Sequence, residues 1–90
     1  MHVDSVYLDQ RREYALIYLR GADVEIEAQV YRHGELWKAT MTVTTWNRDD
    51  TGPRQCIDIG NAYDGKREKV AQWLTTRLLD QLKAMGQCDV

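Results

Sequence analysis

Apolar and polar residues alternate through residues 24–43, VEIEAQVYRHGELWKATMTV, on both sides of His33-Gly34. A period of two around a glycine-containing pair predicts a β-hairpin with a tight two-residue turn. With His33-Gly34 as the loop, Arg32 faces Glu35, Val30 faces Trp37, Ala28 faces Ala39, Ile26 faces Met41 and Val24 faces Val43. The last four pairs are apolar and share a face, because strand side chains alternate. The other face pairs Tyr31 with Leu36, Gln29 with Lys38, Glu27 with Thr40 and Glu25 with Thr42. A slip of one residue would carry Glu25 and Glu27 into the core, so the register is well specified. An isolated hairpin does not bury enough surface to offset the entropy of ordering it. Another element must cover its apolar face.

The rest of the chain supplies that element. Residues 3–8 form a weak strand whose Val3, Val6 and Leu8 do not alternate cleanly, with Asp9-Gln10-Arg11 as a turn. Residues 12–20, REYALIYLR, make a stronger strand, rich in Tyr, Leu and Ile. A type II′ loop at Gly21-Ala22 would place Ala15, Ile17 and Leu19 in the core, facing Ala28, Ile26 and Val24. A three-residue loop would bury Tyr14, Leu16 and Tyr18 instead. Glycine suits the first loop position of a II′ turn, which favours the first arrangement. Residues 35–46 are a long strand with Thr40, Thr42 and Thr44 outward, and residues 47–53, NRDDTGP, a loop. Residues 54–60 give a further strand with Ile57 and Ile59 inward, and residues 61–65 a second loop.

A helix is expected over residues 66–86, with Asp64 as its N-cap, Gly86 ending it and residues 87–90 frayed. At 100° per residue, Val70, Ala71, Leu74, Leu78, Leu82 and Met85 form one stripe. Trp73 and Leu79 fall on opposite flanks of it, so Trp73 either reaches back over the sheet edge or is partly exposed. The expected fold is therefore α+β: a curved antiparallel sheet of four or five strands, with one C-terminal amphipathic helix on one face. The remaining core positions are Trp37 and the inward residues of the strands.

Composition narrows the function classes. The 90 residues suffice for one domain with one modest core. A formal charge of −2, with acids and bases interspersed, argues against a dedicated nucleic-acid or membrane-surface protein. No apolar run is long enough to span a bilayer, and no signal-peptide pattern is present. Cys56 and Cys88 lack the spacing of a zinc site and are too few for a disulfide framework, so both read as free thiols in a reducing cytoplasm.

Candidate chemistry is sparse. His2 and His33 have no evident catalytic partner. Asn47, Asp49, Asp50 and Asp58 do not follow the calcium-loop spacing and read as a solvated turn. No phosphate loop or nucleophile motif is present. Lys66, Arg67 and Lys69 crowd the first helical turn, where the dipole disfavours cations; they read as solvated charge, with a weak anion or acidic-partner contact as the alternative. No cofactor or metal is expected.

The outer sheet face is more informative. It carries Tyr14, Leu16, Tyr18, Tyr31, Leu36 and Trp46 among Arg12, Glu25, Glu27, Lys38 and the threonines. A monomer rarely exposes so many large residues on one face, and tyrosine and tryptophan suit interfaces. Either residues 1–11 or the 47–53 loop fold over this face, or a partner covers it. The layout resembles that of small inhibitors encoded by phages and mobile elements, such as anti-CRISPR and toxin-immunity proteins. The resemblance is one of size and layout over the whole chain; no motif carries it, and it transfers no residue. It implies a non-catalytic protein-binding module that occludes a larger protein. A single-strand nucleic-acid binder would stack bases on Tyr14, Tyr18 and Tyr31, but Glu25 and Glu27 oppose phosphate there. A homodimer using this face on itself is the third reading. An enzyme would need a pocket with paired acid and base, which the pattern does not offer.

Overall fold

The computed structural model describes residues 2–85. The chain forms β1 (Val3–Arg11), β2 (Tyr14–Gly21), β3 (Val24–His33), β4 (Leu36–Thr45), β5 (Gln55–Asp64) and α1 (Arg67–Ala84). The strands make one open antiparallel sheet in chain order, and α1 lies on one face of it, over β4 and β5 and reaching β3.

The central hairpin has the expected faces and a register moved by two. Its loop is Gly34-Glu35, so Val30 faces Ala39, Ala28 faces Met41 and Ile26 faces Val43. Gly34 has φ +65°. A II′-like loop wants a positive φ at its first position, and glycine adopts it without steric cost. A shift of two preserves the side-chain parity, which is why the faces survive.

The β2–β3 hairpin is displaced in the same way. Ala15 faces Val30, Ile17 faces Ala28 and Leu19 faces Ile26, around an Ala22-Asp23 loop. Tyr14, Leu16 and Tyr18 thus face outward, as the two-residue loop requires. Gly21 serves a different purpose from the turn expected of it. It is a buried strand residue, and a Cβ there would overlap the His2 carbonyl oxygen.

Three other boundaries differ. β1 continues through residues 9–11, and the turn is Arg12-Glu13. Asp4 is an extra residue between Val3 and Ser5, and that bulge is why Val3, Val6 and Leu8 do not alternate cleanly. β5 continues to Asp64, past the loop expected at residues 61–65. Ile59 is an extra residue in it, beside Gly60 at φ +130°. The bulge reverses the parity of the later β5 residues, so Ala62 packs inward and Tyr63 outward. Ile59 packs against the core, whereas Ile57, beyond the cover of the helix, is 53% exposed.

Helix α1 starts from Lys66 without a side-chain cap. Asp64 is not the N-cap; its Oδ1 accepts the Lys66 N–H at 2.8 Å, closing the strand-to-helix turn. The Gly86 stop and the frayed 87–90 fall outside the described residues. Val70 and Leu74 are the helix's buried anchors, while Leu78, Leu82 and Met85 are partly buried. Trp73 reaches over β5, its ring 3.6 Å from where a Gly60 Cβ would stand. The core proper is Leu19, Val24, Ile26, Ala28, Val30, Ala39, Met41, Val43, Val70 and Leu74. Five strands span about 19 Å at about 4.8 Å spacing, and one helix is only about 10 Å wide. The β1–β2 side of this face is therefore left without a lid.

Candidate functional site

Antiparallel pairing places one residue of each strand side by side on the outer face. The resulting row runs Arg11, Tyr14, Tyr31, Lys38 and Tyr63 from β1 to β5. His33 lies beyond it, its ring 6.4 Å from Tyr31 and 5.8 Å from Tyr63, both edge-on. The Lys38 ammonium sits 5.0 Å from the Tyr63 ring centroid. The Tyr63 hydroxyl, and after it Tyr31, holds Lys38 above its ordinary pKa, while desolvation pulls the other way. The group is thus a cation between two phenols. Leu36, paired with His33, adds an exposed aliphatic edge.

The parallel row through Tyr7 and Tyr18 continues as Glu27, Thr42 and Asp58. With Tyr7 included, all five tyrosines of the chain are on this face. Between the two tyrosine rows lie Asp9, Leu16, Gln29, Thr40 and Asn61. Gln29 Nε2 donates to Glu27 Oε1. Tyr14, Leu16 and Tyr18 follow one another on β2 with Tyr31 and Tyr7 beside them, and charged and polar groups border this cluster.

Trp46 is set apart from the tyrosine end. It follows β4 at the far end of the sheet, with the Arg54 guanidinium 4.3 Å and that of Arg20 5.9 Å from its ring centroid. Arg54 is held in turn by Asp50 at 3.1 Å, and Arg20 lies 3.9 Å from Glu25. The 47–53 loop beside it is tied internally: Asn47 Nδ2 donates to the Thr51 carbonyl, and the Asp49 carboxylate accepts from the Thr51 hydroxyl and N–H. Those two Thr51 bonds hold Asp49 below its ordinary pKa. Trp46 is thus covered by cations. The same device recurs at Trp37, flanked by Arg32 and Arg67, so one of the crowded helix-start cations stacks on a ring.

Of the residues singled out from the sequence, Tyr14, Tyr31 and Lys38 come together, with Leu36 adjoining. Tyr18 and Glu27 form a second group with Tyr7, Leu16 lies between, and Glu25 and Trp46 belong to the far end. Arg12 is in the β1–β2 turn. Tyr63, His33 and Tyr7 were missed. The β1 alternation from residue 5 onward was a usable signal for Tyr7; no such signal existed for Tyr63, whose outward position depends on the bulge. Residues 3–11 form an edge strand and do not fold over the face.

On the opposite face, a groove of about 200 Å³ runs between β1 and α1, lined mainly by Leu8, Gln10, Ala15, Ile17, Ala71, Leu74 and Thr75. Among the described residues, no three His, Cys, Asp or Glu side chains gather as a metal site, and no helix is long and apolar enough to cross a membrane. No protein-family model, curated protein or solved structure matches the chain.

Proposed function

We infer that this protein is a small non-catalytic protein-binding module that works by occluding part of a larger protein, with the tyrosine row of its outer face as the docking surface. The observation that carries this reading is the placement of all five tyrosines on the open face of the sheet, three of them in one row with Lys38. Tyrosine offers a large contact area with few rotatable bonds and a polar tip, which is why it anchors interfaces that must also tolerate water. Phenols bordered by charged and polar groups suit a mixed protein surface better than a lipid or a core. Glu25, Glu27, Asp9 and Asp58 on the same face repel phosphate, which sets a nucleic-acid strand behind a protein partner. An inhibitor of the anti-CRISPR or immunity kind, working in the cytoplasm, fits this layout by analogy of size.

The test compares proteins retained from a nuclease-treated lysate by the parent and by a Tyr14→Ala, Tyr31→Ala double variant. A partner held by the parent and released by the variant, with melting close to the parent's, is the expected result. Equal retention by both would remove the tyrosine row from the reading. Retention of nucleic acid alone, lost in high salt, would replace a protein partner with a single strand.

A further inference from the structure

An edge strand leaves half of its backbone groups unpaired, and which half can be read from the ladder. Arg32 N–H donates to the Glu13 carbonyl at 3.1 Å. Odd residues of β2 therefore bond toward β3, and by alternation its even residues bond toward β1. Their partners there are Arg11, Asp9, Tyr7 and Ser5. The N–H and C=O groups of Val6, Leu8 and Gln10 are the ones aimed out of the sheet.

That edge is protected only toward its ends, by the Asp4 bulge and by Asp9 and Arg11. β1 is nine residues long, and its pairing is regular from Ser5 to Arg11. At its centre Val6 is 69%, Tyr7 57% and Leu8 61% exposed. The other edge, β5, is bent by the Ile59 bulge, and its Gly60 N–H is taken by the Asp58 carboxylate. Bulges and side chains that occupy backbone groups are how sheets blunt their edges. β5 is thus blunted through its middle, whereas β1 is regular from Ser5 to Arg11 with Val6 and Leu8 exposed at its centre.

We propose that β1 pairs antiparallel with β1 of a second copy of this chain, with Tyr7 on the two-fold axis. In that register Val6 faces Leu8 of the second copy, and Leu8 faces its Val6. Both are pairs with outward-pointing N–H and C=O groups, so the backbone ladder and the apolar side chains agree. Shifting the axis to Val6 sets Leu8 against Asp4, and shifting it to Leu8 sets Val6 against Gln10, so each gives up an apolar pair. In that register Asp4 faces Gln10 and Asp9 faces Ser5, so no two carboxylates oppose one another. The two lidless halves then join into one trough between two helices. A single strand pair buries little, at or below the roughly 1,200 Å² total that marks weak interfaces. The dimer is accordingly dilution-sensitive. This inference uses the sheet edge and does not depend on the tyrosine row.

Sedimentation velocity from about 1 μM to 1 mM, the span of weak affinities, reads it directly. The parent moves from the mass of one chain toward that of two. Leu8→Pro removes an outward N–H while sparing the β2 ladder, and stays at one chain throughout. Tyr31→Ala still dimerises, which separates this edge from the proposed docking row. Should Leu8→Pro fail to fold, cross-linking decides. Residues opposed in a non-hydrogen-bonded pair have Cα atoms about 4.5 Å apart, within disulfide reach. Tyr7→Cys in a Cys56→Ser, Cys88→Ser background therefore gives a covalent dimer on mild oxidation, and Val6→Cys in that background does not. A parent that stays at one chain throughout, a dimer unaffected by a folded Leu8→Pro, or equal cross-linking at both positions would overturn the proposal.

Discussion

Hairpins β1–β2 and β3–β4 are similar in length and both alternate, β1 only from Ser5 onward, yet only the second lies under the helix. Under α1, Ile26, Met41 and Val24 are fully buried. Beyond it, Ile17 is half-buried and Leu8 largely exposed on the same face of the same sheet. Alternation specifies which side of a strand is apolar. Whether that side is dry depends on where the single helix lies and how wide it is.

Mutations can break this contrast. The largest effect is expected for Ile26→Asp, which places an unpaired charge in the dry half; circular dichroism should show no cooperative melting. Leu8→Asp, equivalent in pattern, should keep a cooperative transition. If Leu8→Asp also unfolds the protein, the bare half is core and the comparison fails. Leu78→Asp belongs between them, because Leu78 is partly buried: it should lower the melting temperature without abolishing the transition.

Side-chain truncations sharpen the same boundary. Met41→Ala should cost about 2–5 kcal/mol in denaturant unfolding, against about 0.5 kcal/mol or less for Val6→Ala. Gly60→Ala should cost about 1–3 kcal/mol, because its φ of +130° strains any side chain. A neutral result would mean that the β5 bulge is not held as described.

The smallest effect concerns pH. Asp49 is held below its ordinary pKa by the Thr51 hydroxyl first and its N–H second. A lowered folded pKa stabilises above the unfolded value, and that contribution disappears as pH falls through the folded one. Carbon-detected titration should give Asp49 a midpoint below that of an unstructured aspartate, and Thr51→Ala should raise it. An ordinary midpoint in the parent would mean that the loop bonds do not hold in solution.

Much of the fold was legible in the sequence because burial enforces parity. Glu25 and Glu27 could not be inward, so every face in β2, β3 and β4 followed even though each hairpin is displaced by two residues. Turn placement was not legible to the residue. Gly21 looked like a loop residue and is instead a point of close approach to His2. Bulges were only hinted at, by the three-residue spacing of Val3 and Val6 and by Gly60 beside Ile59, signals that do not say which residue is the extra one. For the candidate surface, the outward residues were named on the correct face, but their grouping into rows depended on register. Trp46 fell away because the Arg54 guanidinium stacks on it across the 47–53 loop, a contact that no period in the sequence encodes.

Strand order that follows chain order also has a kinetic meaning. Every strand pair is a hairpin between neighbours in sequence, and only the return of α1 over β3 and β4 links distant segments. Sheets assembled from local pairings need little loop closure and fold faster than those that thread distant strands together. Formation can begin at the β3–β4 turn and add strands outward on both sides, with helix docking as the step that locks the hydrophobic layer. Amide exchange should rank the strands in the reverse order: slowest in β3 and β4, fastest in β1, whose opening breaks one ladder and uncovers almost no dry surface.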